Sequence, residues 1–419
     1  MRRNDPHMTA GRPRHYVVPS QWVRYDYTAV SGLLVDARVA AGVLNRLPHL
    51  PQWIEQAHEE QLRLEAVGTS RIEGAEFTQR EQDEALMPDA SERPGLTHSQ
   101  RQLRAANETY RWLRSLPSDQ PVSAELILDI HRSVVTGCDD DRCEPGATRA
   151  AGDNVTFGMP RCRGIEGGDG CRAAFNALAG AIRNEFPRHD RIVQAMAAHY
   201  HIGAMHPFGD GNGRTARALE AFMLRAANVN DMVMVSVSNY YYEHRDEYFR
   251  ALYESRSTGH DLTPFLLFAL PAVADRCNAL AAQIADQQKR VLYREFARSL
   301  FGKLRSKRRR ALAERQLRIL DLLLGHENLE LHDLVDRSYT YYRGLLYPAR
   351  AIARDLVGLL NLSAIAFEGN QFSASLDWPQ QFSESELLER YENMPTATSA
   401  NHPAMAELSR LLGRARADF

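Results

Sequence analysis

The chain has 419 residues, 44% of them hydrophobic and 25% charged, with a formal net charge of -2. That length accommodates two or three domains with a full core, and the near-neutral charge excludes a protein that coats nucleic acid over its whole surface. Five cysteines without a CxxC pair read as free thiols in a reducing compartment, no apolar run reaches the ~18 residues of a membrane span, and the basic start MRRNDPHMTAGRPRHY lacks the apolar segment of a secretory signal, so a cytoplasmic protein without a membrane partner is expected.

The first two dozen residues are polar and aperiodic, the composition of a loosely held arm. Val39, Val43, Leu44 and Leu47 then predict a helix over Asp36 to Leu47. A second helix is expected from Pro51, a residue suited to a first helical turn, through Trp53, Ile54, Ala57, Leu62 and Ala66 to Thr69-Ser70-Arg71-Ile72-Glu73, with Gly74 ending it. Beyond a polar link holding Pro88 and Pro94, helices are expected at Gln100 to Leu116 and Ser123 to Val135. The segment from Gly137 to Gly170 is dominated by turn residues and carries a strand-like piece, Asn154 to Gly158, which reads as an exposed hairpin or flap. Helices resume over Cys171 to Glu185 and over Arg191 to Met205, where Ile192, Ala195, Met196, Ala198 and Ile202 mark a buried helix. A loop then leads into a helix over Asn212 to Ala226, followed by helices at Tyr241 to Arg256, Leu262 to Ala274 and Ala274 to about Leu300. The fold class is mainly α.

Six of the eight residues from Lys303 to Arg310 (KLRSKRRR) are basic and mark a boundary. Helices over Arg315 to Leu324, Leu331 to Asp336 and Pro348 to Leu360 follow, then strands Ala364 to Phe367 and Gln371 to Ala374 around the turn Glu368-Gly369-Asn370. Three helices and a β-wing describe a winged helix, a module that serves either DNA or protein contacts; beside it the basic run is a candidate phosphate-contacting segment. The last forty residues are polar, with one modest helix near Met405 to Leu412.

The stretch His206 to Arg217, HPFGDGNGRTAR, concentrates the chemistry. A helix starting at Asn212 aims its unpaired N–H groups at Gly211-Asn212-Gly213, where two glycines let a phosphate approach the backbone. Arg214 and Arg217, three apart, share a helix face from which forked guanidinium groups can grip outer phosphates. Asp210 is a hard carboxylate placed for a Mg²⁺ that bridges phosphates, and His206 is a candidate general base for an attacking hydroxyl. These parts suit attack on phosphorus with a phosphate chain leaving.

HPFGDGNGRTAR resembles the Fic family signature, His-Pro-Phe-x-Asp/Glu-Gly-Asn-Gly-Arg-x-x-Arg, at all nine fixed positions. The resemblance implies a helical Fic core with a short β-hairpin flap, and a protein adenylyltransferase that moves AMP from ATP to a Ser, Thr or Tyr hydroxyl of a target protein. It implies His206 as general base, Asp210 as the Mg²⁺ ligand, Gly211 to Arg214 as the phosphate cradle and Arg217 as a γ-phosphate contact. Gly-Asn-Gly-Arg departs from the Ala-Asn-Lys-Arg of the phosphorylating Doc branch. Upstream, Thr69-x-x-x-Glu73-Gly74 resembles the inhibitory motif of some Fic proteins, whose glutamate pairs with the second signature arginine, here Arg217. A water held by such a glutamate also implies removal of AMP by the same site. The flap residues Val155, Thr156, Phe157 and Gly158 are similar to the Fic hairpin that pairs with a target segment and lines the nucleotide pocket. Tyr248 and Phe249 are similar to the aromatic pair that contacts adenine, with His244 where relatives often carry asparagine. Fic proteins of this layout often form homodimers. The implied division is an N-terminal helical region over 1–100 carrying the inhibitory motif, a Fic core over 101–300, a winged helix over 301–378 and a polar tail over 379–419.

Other residues have plainer readings. His199 and His201 have no partner pattern and read as helix residues, and Asp139-Asp140-Asp141 beside Cys138 and Cys143 reads as a solvated loop rather than a metal site. Tyr240-Tyr241-Tyr242 reads as core and pocket wall, with an exposed hydroxyl there a candidate for self-modification. The rival function is a winged-helix DNA-binding regulator whose Fic core senses nucleotide without turnover.

Overall fold

The computed structural model describes residues 15–48, 50–87, 95–138, 143–158, 160–227, 229, 235–326 and 328–394. The arm's first fourteen residues, Pro88, Pro94, Asp139 to Asp141 and the helix expected at Met405 to Leu412 lie outside these. The chain divides into two compact units, residues 1–282 and 283–419.

Among the described residues, unit 1 is helical apart from one hairpin. Its helices are α1 (Tyr27–Arg46), α2 (Pro51–Ile72), α3 (Gln79–Leu86), α4 (His98–Ser115), α5 (Ala124–Val135), α6 (Asp169–Asn184), α7 (Arg191–Met205), α8 (Asn212–Ala226), α9 (Val237–Glu243) and α10 (Arg245–Ser257). Strands β1 (Thr156–Phe157) and β2 (Cys162–Arg163) pair antiparallel between α5 and α6. The 40-residue α11 (Thr263–Gly302) starts in unit 1 and ends in unit 2 as one helix with Pro271 inside it, where two helices were expected.

α7 is buried on nearly every side and packs against α8, so the loop joining them is fixed at both ends. α2 packs against α4 and α9. It approaches α9 closely because Gly68 has no Cβ: a methyl there would stand 2.7–2.8 Å from backbone atoms of Ser238 and Asn239. Buried Glu65 locks the same contact by accepting from the Ser238 N–H at 2.9 Å and from its hydroxyl, and Gln61 accepts from the Ser236 N–H at 3.2 Å. Burial raises the Glu65 carboxyl to about 7.

Several local expectations are corrected. α1 starts nine residues early because Asp26 caps it, accepting from the Thr28 and Ala29 N–H groups, and its buried face is Val30, Leu34, Ala37, Ala40, Ala41 and Leu44. Val39 and Val43, which carried the apolar rhythm, are the exposed face together with Val35. α3 occupies part of the stretch expected to be a polar link, held by a capping box between Thr78 and Glu81. A break at His244 splits Tyr241 to Arg256 into α9 and α10. By length and composition alone α1 and α11 could cross a membrane, contrary to the expected absence of such a run; in the fold each buries part of that surface against the protein.

Unit 2 contains α12 (Lys307–Gly325), β3 (Leu329–Glu330), α13 (Leu331–Ser338), α14 (Pro348–Asn361), β4 (Ile365–Glu368), β5 (Gln371–Ala374), α15 (Trp378–Gln381) and α16 (Glu384–Asn393). β5 lies between β3 and β4 in an antiparallel sheet, and Gly369 and Asn370 turn the β4–β5 hairpin with positive φ. The unit has its own core, with Leu320, Leu323, Leu334, Leu356, Leu359, Phe372 and Trp378 buried. Within the stretch read as a polar tail, α16 puts Leu387 and Tyr391 into that core. All five cysteines are free thiols and buried.

Candidate active site

α7 ends where Pro207 cannot continue it, and His206 caps the helix in the left-handed region at φ 51°. The Nδ1–H of His206 donates to the Gly203 carbonyl at 2.6 Å, which leaves Nε2 with its lone pair. Its carbonyl accepts from Arg149 Nε at 2.9 Å, and the Phe157 ring lies flat on the imidazole with centroids 3.5 Å apart. Burial lowers the His206 pKa to about 4 in spite of the Gly203 bond and the nearby Glu73 charge, so the ring is neutral at pH 7.

The loop after His206 is clamped by Asn212, whose side-chain oxygen accepts from the Phe208 N–H and whose amide donates to the Phe208 carbonyl, both at 2.9 Å. Gly211 sits at φ 73°, and a methyl on it would collide with Val135. Asp210 accepts from the Gly211 N–H at 2.6 Å and from Arg214 Nη2 at 2.7 Å. The Asp210 carbonyl is held at 3.1 Å by His131 Nε2, while His131 Nδ1 accepts from the Gly146 N–H and its ring stacks on Phe208. Buried Arg214 also donates to the Val134 carbonyl at 2.9 Å and to the Cys138 sulfur at 3.2 Å.

Arg217, one turn further along α8, is equally buried. It donates through Nε to the Thr69 hydroxyl at 2.8 Å, through Nη2 to Glu73 Oε1 at 2.6 Å and to the Thr69 carbonyl at 3.3 Å, and through Nη1 to the Tyr248 hydroxyl at 3.4 Å. Glu73 caps the end of α2 ahead of Gly74, which turns the chain at φ 92°. Its carboxylate lies over Gly213 so closely that a methyl on that glycine would overlap Oε1, which puts an anion against the N-terminus of α8. Burial alone would raise the Glu73 pKa, but the Arg217 guanidinium outweighs it and holds the group below the usual carboxylate range.

The structure therefore brings together His206, Asp210, Gly211, Asn212, Gly213, Arg214, Arg217, Glu73 and the flap residue Phe157. Tyr248 is placed otherwise than a base-contacting aromatic: it is 2% exposed, stacked on Tyr241, with its hydroxyl turned to Arg217 and His199, while Phe249 is exposed beside it. Val155, Thr156 and Gly158 lie along the hairpin, where the Gly164 N–H donates to the Val155 carbonyl at 3.2 Å. β2 already has a neighbour, because the Tyr16 N–H donates to the Arg163 carbonyl at 3.0 Å and His15 forms a parallel bridge with Arg163. Tyr16 is anchored in turn by His201, which it meets at 3.0 Å. Sequence reasoning missed Arg149 and His131 as partners of the site. Thr69, named in the inhibitory pattern, meets Arg217 through both its hydroxyl and its carbonyl.

Residues 121–224 match the Fic/DOC family. A Fic family protein from Desulfovibrio desulfuricans G20 is similar in fold at 18% identity and a TM-score of 0.50, covering 87% of this chain and 98% of its own. Fic-1 from C. elegans is similar at 22% identity and a TM-score of 0.51, covering 62% of this chain and 73% of its own. Fic domain proteins generally transfer AMP or other nucleotide monophosphates onto proteins. The segment that matches the Fic/DOC family carries α5, the hairpin, α6, α7, the loop from His206 to Gly211 and most of α8.

Proposed function

We propose that this protein is a Mg²⁺-dependent protein adenylyltransferase that moves AMP from ATP to a Ser, Thr or Tyr hydroxyl of a target protein and is restrained by Glu73. The observation that carries this reading is the neutral His206, its Nδ1 tied to Gly203 and its Nε2 left as an acceptor, beside a helix N-terminus faced by two arginines. Nε2 takes the proton of the target hydroxyl as its oxygen bonds to the α-phosphorus; the bond from that phosphorus to the bridging oxygen breaks and pyrophosphate leaves with the electron pair. The α8 N–H groups and Arg214 bind the phosphates, and Arg217 meets the γ-phosphate.

Asp210 is a fitting Mg²⁺ ligand because a single carboxylate together with phosphate oxygens meets the ion's preference. Among the described residues no group of three His, Cys, Asp or Glu could hold a metal alone, consistent with an ion that arrives with the nucleotide. Asp210 would hold the ion, which would supply positive charge against the phosphates, and doing so would cost Asp210 its bond to Arg214. Glu73 restrains the site twice, by occupying Arg217 and by lying on the cradle at Gly213. Because β2 is taken by residues 15–16, the target segment adds at β1, beside Phe157.

For unit 2 we propose a winged helix that contacts protein rather than DNA. A helix that reads a groove needs a free face, and α14 is buried at Ala351, Ile352, Ala353, Asp355, Leu356, Val357 and Leu359, with Gln316 and Met394 close to Gly358.

Labelled ATP tests the main reading. Label from the α-phosphate retained on protein, absent in His206→Ala and increased in Glu73→Gly, is the expected outcome. Retention of the γ-label instead would make the protein a kinase. No labelling, with salt-dependent binding of duplex DNA by the full chain, would make it a nucleotide-sensing regulator.

A further inference from the structure

Behind Arg217 lies a buried polar chain that no signature includes. Tyr248, on α10, meets Arg217 Nη1 at 3.4 Å and His199 Nε2 at 2.8 Å through one hydroxyl. His199, on the buried α7, makes a short contact from Nδ1 to Glu220 Oε2, and Glu220 Oε1 accepts from the Tyr241 hydroxyl at 2.7 Å. His199, Glu220, Tyr241 and Tyr248 are each at most 2% exposed. Burial, and then the Arg217 charge, lower the His199 pKa well below its usual value, so the ring is neutral and carries one proton. Only one arrangement satisfies every group: Nδ1–H donates to Glu220, Nε2 accepts from the Tyr248 O–H, and the Tyr248 oxygen is left to accept from Arg217.

Every other bond that Arg217 makes through its guanidinium goes to α2 or the residue capping it, namely Thr69 and Glu73. Relief of inhibition moves Glu73 away and loosens those bonds, and the hydroxyl of Tyr248 is then the fixed point from which Arg217 is aimed. We propose that Tyr248, locked by His199 and Glu220, is a positioning residue that holds Arg217 towards the γ-phosphate, and so confers preference for a triphosphate over a diphosphate. The inference rests on the reading of Arg217 as a γ-phosphate contact. It replaces the base-contacting role expected for Tyr248 with one directed at the other end of the nucleotide.

The test is equilibrium binding of ATP and ADP with Mg²⁺ to the full chain, in the Glu73→Gly background, with and without Tyr248→Phe. That substitution removes one oxygen and keeps the ring packed on Tyr241. Tyr241→Phe serves as the matched control, because it removes a hydroxyl of the same cluster that has no bond to Arg217. The expected result is an increase of about tenfold in the ATP Kd for Tyr248→Phe, ADP changing by less than about twofold, and little change in either for Tyr241→Phe. Equal weakening of ATP and ADP, no weakening of either, or the same loss of discrimination in Tyr241→Phe would overturn the proposal. If Glu73→Gly alone binds ATP no more tightly than ADP, the γ-phosphate role of Arg217 fails and the proposal with it; preference intact in Glu73→Gly and in Tyr248→Phe sinks the Tyr248 role alone.

Discussion

A single methyl group placed far from the nucleotide should act as an activator. Gly68→Ala adds a Cβ 2.7 Å from the Asn239 nitrogen and 2.8 Å from the Asn239 Cα and the Ser238 carbonyl carbon. All three are backbone atoms that cannot rotate away, so α2 and α9 must separate by about 0.7 Å to reach ordinary contact. Overpacking of this kind costs about 1–3 kcal/mol, whereas alanine favours the helix over glycine by about 1 kcal/mol. The net is about 1 kcal/mol against the docked helix, or about a fivefold rise in its undocked population. Glu73 follows Gly68 by little more than one helical turn, and the same displacement would lengthen its 2.6 Å bond to Arg217 to about 3.3 Å and so weaken it. The expected outcome is a melting temperature a few degrees lower together with about fivefold more α-phosphate labelling of protein than wild type. A lower melting temperature with unchanged labelling would refute the link between α2 docking and restraint, and an unchanged melting temperature would refute the clash.

Glu73→Gly should raise labelling more directly. The ion pair with Arg217 is partly exposed on the Glu73 side, so its loss is worth about 1–2 kcal/mol after screening, or about 5–30-fold in activity, read as initial rates of label transfer. Glu65 should make unit 1 pH-sensitive: its carboxyl is raised to about 7 in the fold, so its stabilising contribution is complete below about pH 4.5 and is lost as pH rises through 7, by about 3 kcal/mol. Melting curves across pH 4.5–8 should show that slope in wild type and not in Glu65→Gln. Leu387→Ala, in the helix that closes the core of unit 2, should cost about 2–5 kcal/mol of that unit's stability by denaturant melts. A cost below about 0.5 kcal/mol would mean that α16 is not part of the packed unit.

The sequence made α7, α8 and the loop between them legible because each boundary has a local cause: Pro207 stops one helix, and Gly211 and Asn212 start the next. Thr69, Glu73 and Gly74 were legible as a pattern even though their partner Arg217 lies 144 residues beyond Glu73. Where the cause is not local, reading failed. Val39 and Val43 outrank alanine in hydropathy, yet the face of α1 that packs is Val30, Leu34, Ala37, Ala40, Ala41 and Leu44. His199 seemed partnerless because its partners are 21 and 49 residues away. Arg149 acts on main-chain carbonyls, which no residue pattern records. α3 and α16 were the exceptions, each opening with a Thr or Ser cap and an acidic third residue that a closer look at capping would have found.

Arg214 and Arg217 both rest against acids supplied by the chain itself, Asp210 and Glu73. Under the proposed function, admission of a polyphosphate would therefore be a swap of one anion for another rather than the filling of a bare cationic hole. Such a swap leaves the local charge balance nearly unchanged, so ionic strength has little leverage on the restrained protein. With Glu73 removed the Arg217 guanidinium would lose its carboxylate, and added salt would become a competitor for it.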